Sequence, residues 1–196
     1  LAGLVASGPA WAGQFDSLVS SRANRVASGP SAPLVSPLVY LSENGQLDVT
    51  LDATETQVRL GEVDIRGATY NGVYGGPVLR LRPGDKLHLR LVNHLPQATN
   101  IHFHGLEVSP QGHGDNSMHM VGPGETWDYE IGIAKDHPPG VYWFHTHGHG
   151  FAERQLMAGL SGTLIVEGFQ DQVPATQLLK ERLFALKEFS PDGTGD

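Results

Sequence analysis

The chain has 196 residues, a formal charge of −8, 39% hydrophobic residues and no cysteine. Absence of cysteine removes disulfides, cysteine zinc sites and any blue-copper centre, because that centre needs a thiolate ligand. Net acidity without a Lys/Arg cluster removes the basic face that a nucleic-acid partner requires, and the apolar content supports a packed core in one good-sized domain plus appendages.

In chain order, residues 1–12 read as the remnant of a secretory signal, a small-residue apolar stretch ending in the A-x-A site Ala10-Trp11-Ala12. That implies an exported protein, periplasmic or extracellular, and the stretch is too short to span a membrane. Residues 13–44 read as an irregular arm, since Gln14–Pro37 is rich in Ser, Ala and Pro without periodicity.

From Gly45 the hydrophobic period becomes two. Leu47, Val49 and Leu51 alternate with polar residues, as do Leu87, Leu89 and Leu91, and again Trp127, Tyr129, Ile131 and Ile133. Turn signals such as Asn44-Gly45, Asn71-Gly72, Pro83-Gly84-Asp85 and Pro123-Gly124 separate them, at the spacing of an all-β sandwich or Greek-key barrel over residues 45–167. One short helix is expected at Ala152–Ala158, stopped by Gly159, followed by a closing strand from Gly162 to Val166. Residues 168–196 read as a connector, then a strand from Arg182 to Phe189 and a hairpin turn at Ser190-Pro191-Asp192-Gly193.

Two short stretches carry chemistry. In Ile101–Gly105 (IHFHG) an apolar run delivers His102 and His104, and in Gly140–Gly150 (GVYWFHTHGHG) another delivers His145 and His147. Residues two apart on a strand project from the same face, so each pair is a clamp. Four imidazoles without a thiolate suit copper, zinc, iron or nickel, and affinity for divalent ions peaks at copper. The four are expected to converge at one edge of the domain, with His88 and His94 elsewhere.

The stretches TYNGVYGGPVLRLRPGDKLHLRLVNHLPQATNIHFHGL, PGETWDYEI and GVYWFHTHGHGFAERQLMAGLSGTLIVEG together resemble the N-terminal cupredoxin domain of a multicopper oxidase, nearest the bacterial laccase and copper-efflux oxidase branch. The resemblance runs from about Gly45 to Glu167. It implies that His102 binds a type 2 copper and that His104, His145 and His147 bind a type 3 pair. In such enzymes the cluster reduces O2 to water with electrons from a small reductant, a phenol or a metal ion, and is completed by C-terminal cupredoxin domains of the same polypeptide. The resemblance also places the start of a second, truncated cupredoxin domain beyond residue 168. With no type 1 site, the chain by itself is expected to show no oxidase turnover.

Asp115 falls where the family carries an Asp associated with proton delivery, although here the pair is Asp115-Asn116 where the family has Asp-Gly. His149 recurs in the resembled branch without being a ligand. His113, Met118, His119 and Met120 offer imidazole and thioether donors to a cuprous ion at the surface, or form a plain loop. A stand-alone copper-binding or copper-storage cupredoxin is the alternative reading. A cupin-type iron or manganese enzyme fits poorly, because Glu107 follows His104 too closely.

Overall fold

The computed structural model describes residues 37–60 and 63–187, and the alternation that is visible in the sequence becomes two open sheets packed face to face. One sheet has four strands in the order β3-β2-β5-β7: β2 (Gln46–Leu60), β3 (Val63–Tyr70), β5 (Lys86–Asn93) and β7 (Thr126–Gly132). The other has five in the order β1-β4-β9-β8-β6: β1 (Val39–Leu41), β4 (Val78–Leu81), β6 (His102–His104), β8 (Gly140–His145) and β9 (Ser161–Val166). The architecture is an all-β, cupredoxin-like sandwich whose sheets do not close into a barrel.

The core is what the period-two pattern buries. Leu47, Val49 and Leu51 from β2, Leu87, Leu89 and Leu91 from β5, and Tyr129 and Ile131 from β7 meet Leu79, Leu81, Phe103, Phe144, Leu164 and Val166 from the facing sheet. Each such leucine removed wholly from water contributes about 1.5–3 kcal/mol. Gly162 exists for the same packing, because it pairs with Phe144 across β8 and β9 and leaves room for the ring to lie over it.

Turns fix the register. Asn44-Gly45 and Asn71-Gly72 both have positive φ at both residues, the conformation that Asn-Gly adopts at low cost. The Asn71 side chain then ties three elements, accepting the Asp52 N–H and donating to the Thr50 carbonyl and the Tyr40 hydroxyl.

The order within the sandwich departs from the sequence expectation at both ends. The arm expected over 13–44 contains β1, whose three residues pair in parallel with Val78, Leu79 and Arg80. So short a strand shows no period, and its partner lies some forty residues away. At the other end, residues 182–187 form no strand, since among the described residues no sheet edge pairs with their backbone. A four-residue helix α2 (Phe169–Gln172) and a 3-10 turn (Pro174–Thr176) precede them. The signal remnant at 1–12, the arm up to residue 36, and the end of the expected strand with its hairpin turn lie outside the described residues.

Helix α1 (Ala152–Ala158) occupies the span expected for it and ends at Gly159, whose φ of 122° places a backbone there that a side chain resists. Among the described residues no helix is long and apolar enough to cross a membrane.

The connector is tied back by charge. Arg80 on β4 holds Glu167 at 2.5 Å and Glu181 at 2.5 Å. Lys187 donates to the Ser161 hydroxyl at 2.5 Å and stands 5.7 Å above the Tyr74 ring. Burial penalises its ammonium form and pushes the pKa down from 10.5 to about 8. Between those two values the unfolded chain holds a proton that the folded chain has released, so stability rises with pH from about 8 toward 10.5. Thermal melts from about pH 8 to 9 should show the rise, before Tyr70 and Tyr129, whose phenols burial pushes above their ordinary value of 10, begin to oppose it, and Lys187→Met should flatten it.

Candidate metal centre

Strands β6 and β8 are antiparallel neighbours, with His102 opposite His145, Phe103 opposite Phe144 and His104 opposite Trp143. Because successive side chains alternate, Phe103 and Phe144 go into the core and His102, His104, Trp143 and His145 share the outward face. His147 follows two residues past the strand end. The four imidazoles meet: the His102 ring centroid lies 5.6 Å from His104, 5.4 Å from His145 and 5.1 Å from His147. Donor nitrogens of His102, His104 and His145 all fall within 4.8 Å of one another.

Hydrogen bonds decide which nitrogen of each ring faces inward. His102 Nδ1 donates to Asp115 Oδ2 at 2.8 Å, which leaves Nε2 as its lone-pair nitrogen. His145 Nδ1 donates to the Thr146 carbonyl at 2.7 Å, and its Nε2 accepts from His104 Nδ1 at 3.3 Å. His147 Nδ1 is buried and has no partner, while the His147 backbone N–H is held by Asn100 Oδ1 at 2.7 Å. Trp143 covers the group, its ring 4.1 Å from that of His145 and 5.0 Å from that of His104.

The electrostatics favour a neutral His145. Burial lowers the His145 pKa from its ordinary value, and the neighbouring His102, His104 and His147 lower it further, because none tolerates a second positive ring nearby. Neutral imidazole is the form that coordinates a metal.

Asp115 belongs to this site. Beyond its bond to His102, its Oδ1 accepts the Phe103 N–H at 2.9 Å, so one carboxylate fixes both a ring and the strand that carries it. Asn100, immediately before the first clamp, plays a comparable part: it accepts from His147 and donates to the Ser117 carbonyl at 2.7 Å. Sequence reading missed Asn100 and Trp143. A polar residue at 0% exposure beside an apolar run is the signal that Asn100 offers, but burial is not visible in the sequence.

The other histidines lie apart. His88 is next to Asp48 and His94 next to Asp52, both at the exposed face of the four-stranded sheet. His137 is buried, accepting the Glu107 N–H and donating to the Pro138 carbonyl, so it braces a loop. His149 is exposed, its ring 6.0 Å from His147. His113 and His119 stack on Trp127 at 4.3 Å and 3.6 Å. Two rings so close to one indole occupy opposite faces of it, which separates their nitrogens and prevents chelation of one ion.

The residues present fit a transition metal. Their donor set is imidazole without thiolate, two rings have their outer nitrogens anchored by oxygen acceptors, and a third offers a buried nitrogen with no other partner.

A family profile described as multicopper oxidase matches residues 52–171. The chain is 32% identical over 125 residues to a protein named multicopper oxidase mco from Staphylococcus epidermidis, a match covering 63% of this chain and 27% of that one. It is 35% identical over 126 residues to copper resistance protein A of Pseudomonas syringae pv. tomato, covering 60% and 20% respectively. Among solved structures it superimposes on a Campylobacter jejuni multicopper oxidase, described as a metallo-oxidase, with a TM-score of 0.61 and 29% identity, covering 70% of this chain and 30% of that one. The chain therefore spans about a quarter of the curated relatives it matches. The shared profile, reaching from β2 through both histidine clamps, makes this chain a member of the multicopper oxidase family.

Proposed function

We propose that His102, His104, His145 and His147 are one part of the ligand shell of a trinuclear copper centre, in an exported oxidase that couples one-electron oxidation of a phenol or metal ion to reduction of O2 to water. In this reading His102 serves the type 2 copper, and His104, His145 and His147 serve the type 3 pair. The observation that carries it is the convergence of four imidazoles on an outward face, with the His147 Nδ1 buried and unpartnered.

Copper, when bound, supplies one-electron steps that sum to the four electrons O2 needs. The chain's own residues present lone pairs and hold them still. The bond from His102 to Asp115 fixes one tautomer, and the bond from His145 to the Thr146 carbonyl fixes another. Asp115 is also the residue suited to move protons, since a carboxylate hydrogen-bonded beside the site donates and accepts them at little cost. Further ligands and the type 1 site belong to cupredoxin domains outside this chain.

Copper titration followed by paramagnetic resonance, visible absorption and oxygen uptake tests the reading. The chain should bind copper without an intense blue band, and without sustained oxygen consumption from a phenol. Binding should weaken at acid pH as His145 takes a proton, and burial moves that step below the ordinary imidazole value. His145→Ala should abolish the tight component. Copper binding indifferent to that substitution would overturn the assignment, and steady turnover would overturn the need for further domains.

A further inference from the structure

We infer that Gln155, on helix α1, is a positioning residue for the metal centre, acting through Thr146 to hold the two histidine clamps at a fixed separation. The inference rests on the proposed function for its metal, and on the hydrogen bonds alone for its geometry.

Gln155 is 5% exposed and the only buried residue of its helix. Its Oε1 accepts from the Thr146 hydroxyl at 2.7 Å and from the Thr99 hydroxyl at 2.9 Å, and its Nε2 donates to the Ala98 carbonyl at 2.9 Å. This amide orientation is forced, because turning it over would set Oε1 against the Ala98 oxygen. Both hydroxyl hydrogens are then spent on one oxygen, so the 3.3 Å between Thr99 and Thr146 is packing.

The place of the two threonines gives the network its purpose. Thr146 stands between His145 and His147, and its carbonyl is the acceptor that orients the His145 ring. Thr99 precedes Asn100, which holds the His147 N–H, and lies three residues before His102. The backbone closes the circuit: the Thr146 N–H donates to the Leu160 carbonyl, and the Leu160 N–H donates to the Gln155 carbonyl. One side chain thus joins the segment entering β6 to the segment leaving β8. Thr99, Thr146 and Gln155 are all buried, so water does not compete for these bonds. Partners that orient metal ligands are worth about tenfold or more in affinity.

The test uses the 196-residue chain and Gln155→Leu, Thr146→Val and Thr146→Ser, with Ser42→Ala as a control that loses a bond to Asp85 elsewhere in the fold. Two quantities are read: copper affinity, and the Nδ1–H proton of His145 in the metal-free chain by nuclear magnetic resonance. Gln155→Leu and Thr146→Val should bind copper about tenfold more weakly and lose or broaden the His145 proton signal. Thr146→Ser and Ser42→Ala should match the parent. If Gln155→Leu does not fold, Thr146→Val against Thr146→Ser carries the comparison. Copper affinity within twofold of the parent and an unchanged His145 signal in the first two variants would overturn the inference. A parent chain that binds no copper would instead overturn the proposed function, and the His145 signal would still decide the inference.

Discussion

Gly162→Ala should destabilise the domain by about 3 kcal/mol, the upper part of the range for an added methyl in a full core, and lower its melting temperature by roughly 10 °C. An alanine Cβ at this position would lie 2.5 Å from Phe144 Cε1 and 2.8 Å from Cε2, well inside contact. Phe144 has nowhere to retreat, since it is fully buried against Tyr70 at 5.9 Å and Phe103 at 6.4 Å between ring centroids. The backbone of β8 must give way instead, and β8 carries His145. Copper affinity should therefore fall along with stability, although residue 162 touches no ligand. Calorimetry of Gly162→Ala, Phe144→Leu and the double variant checks this. A smaller residue at 144 should recover part of the loss, with a coupling of about 1 kcal/mol or more, and strictly additive effects would refute the steric account.

Asp115→Ala should have the largest effect on the metal. Its carboxylate accepts from His102 Nδ1 and from the Phe103 backbone, so removal frees the ring to turn and strands an N–H of a residue that is itself fully buried. The stranded donor costs about 1–3 kcal/mol of stability. Loss of the ring's anchor should weaken copper binding about ten- to a hundredfold. Asp115→Asn separates the two roles. The amide oxygen can face only one of the two donors while its NH2 faces the other, so affinity should fall less, whereas under the proposed function proton movement in a complete oxidase should fail as fully as with alanine. Isothermal titration for affinity and the pH dependence of oxygen reduction for proton transfer make the distinction, and equal affinities in Asp115→Ala and the parent would remove Asp115 from the site.

The sequence was most readable where periodicity and position coincide. His102, His104 and His145 sit at alternate positions of short apolar strands, so their common face follows from two-residue spacing. Helix α1 was equally legible, because Gly159 ends it where the apolar pattern stops. What escaped notice depended on partners far along the chain. β1 has three residues and no pattern, and only its pairing with Val78–Arg80 makes it a strand. Gln155 sits in a helix whose composition suggests nothing special, and its importance comes from Ala98, Thr99 and Thr146 reaching it from elsewhere. Residues 182–187 have strand-like composition, yet composition forms no sheet without a neighbouring edge, and among the described residues none pairs with them.

The alternation of Phe103 and Phe144 with the histidines on either side has a consequence for heredity. A substitution in β6 or β8 changes one side chain, but the insertion or deletion of a single residue exchanges the two faces beyond that point. Histidines would be driven into the apolar core and aromatic rings into solvent, so the core and the metal centre would be lost in one event. A one-residue change of length in these two strands should therefore cost more than most single substitutions, whereas the loop between Gly105 and Val121 can change length so long as Asp115 still returns to His102 and Ser117 to Asn100. Lineages descended from this chain should vary in the spacing between the two clamps and hold constant the spacing within each.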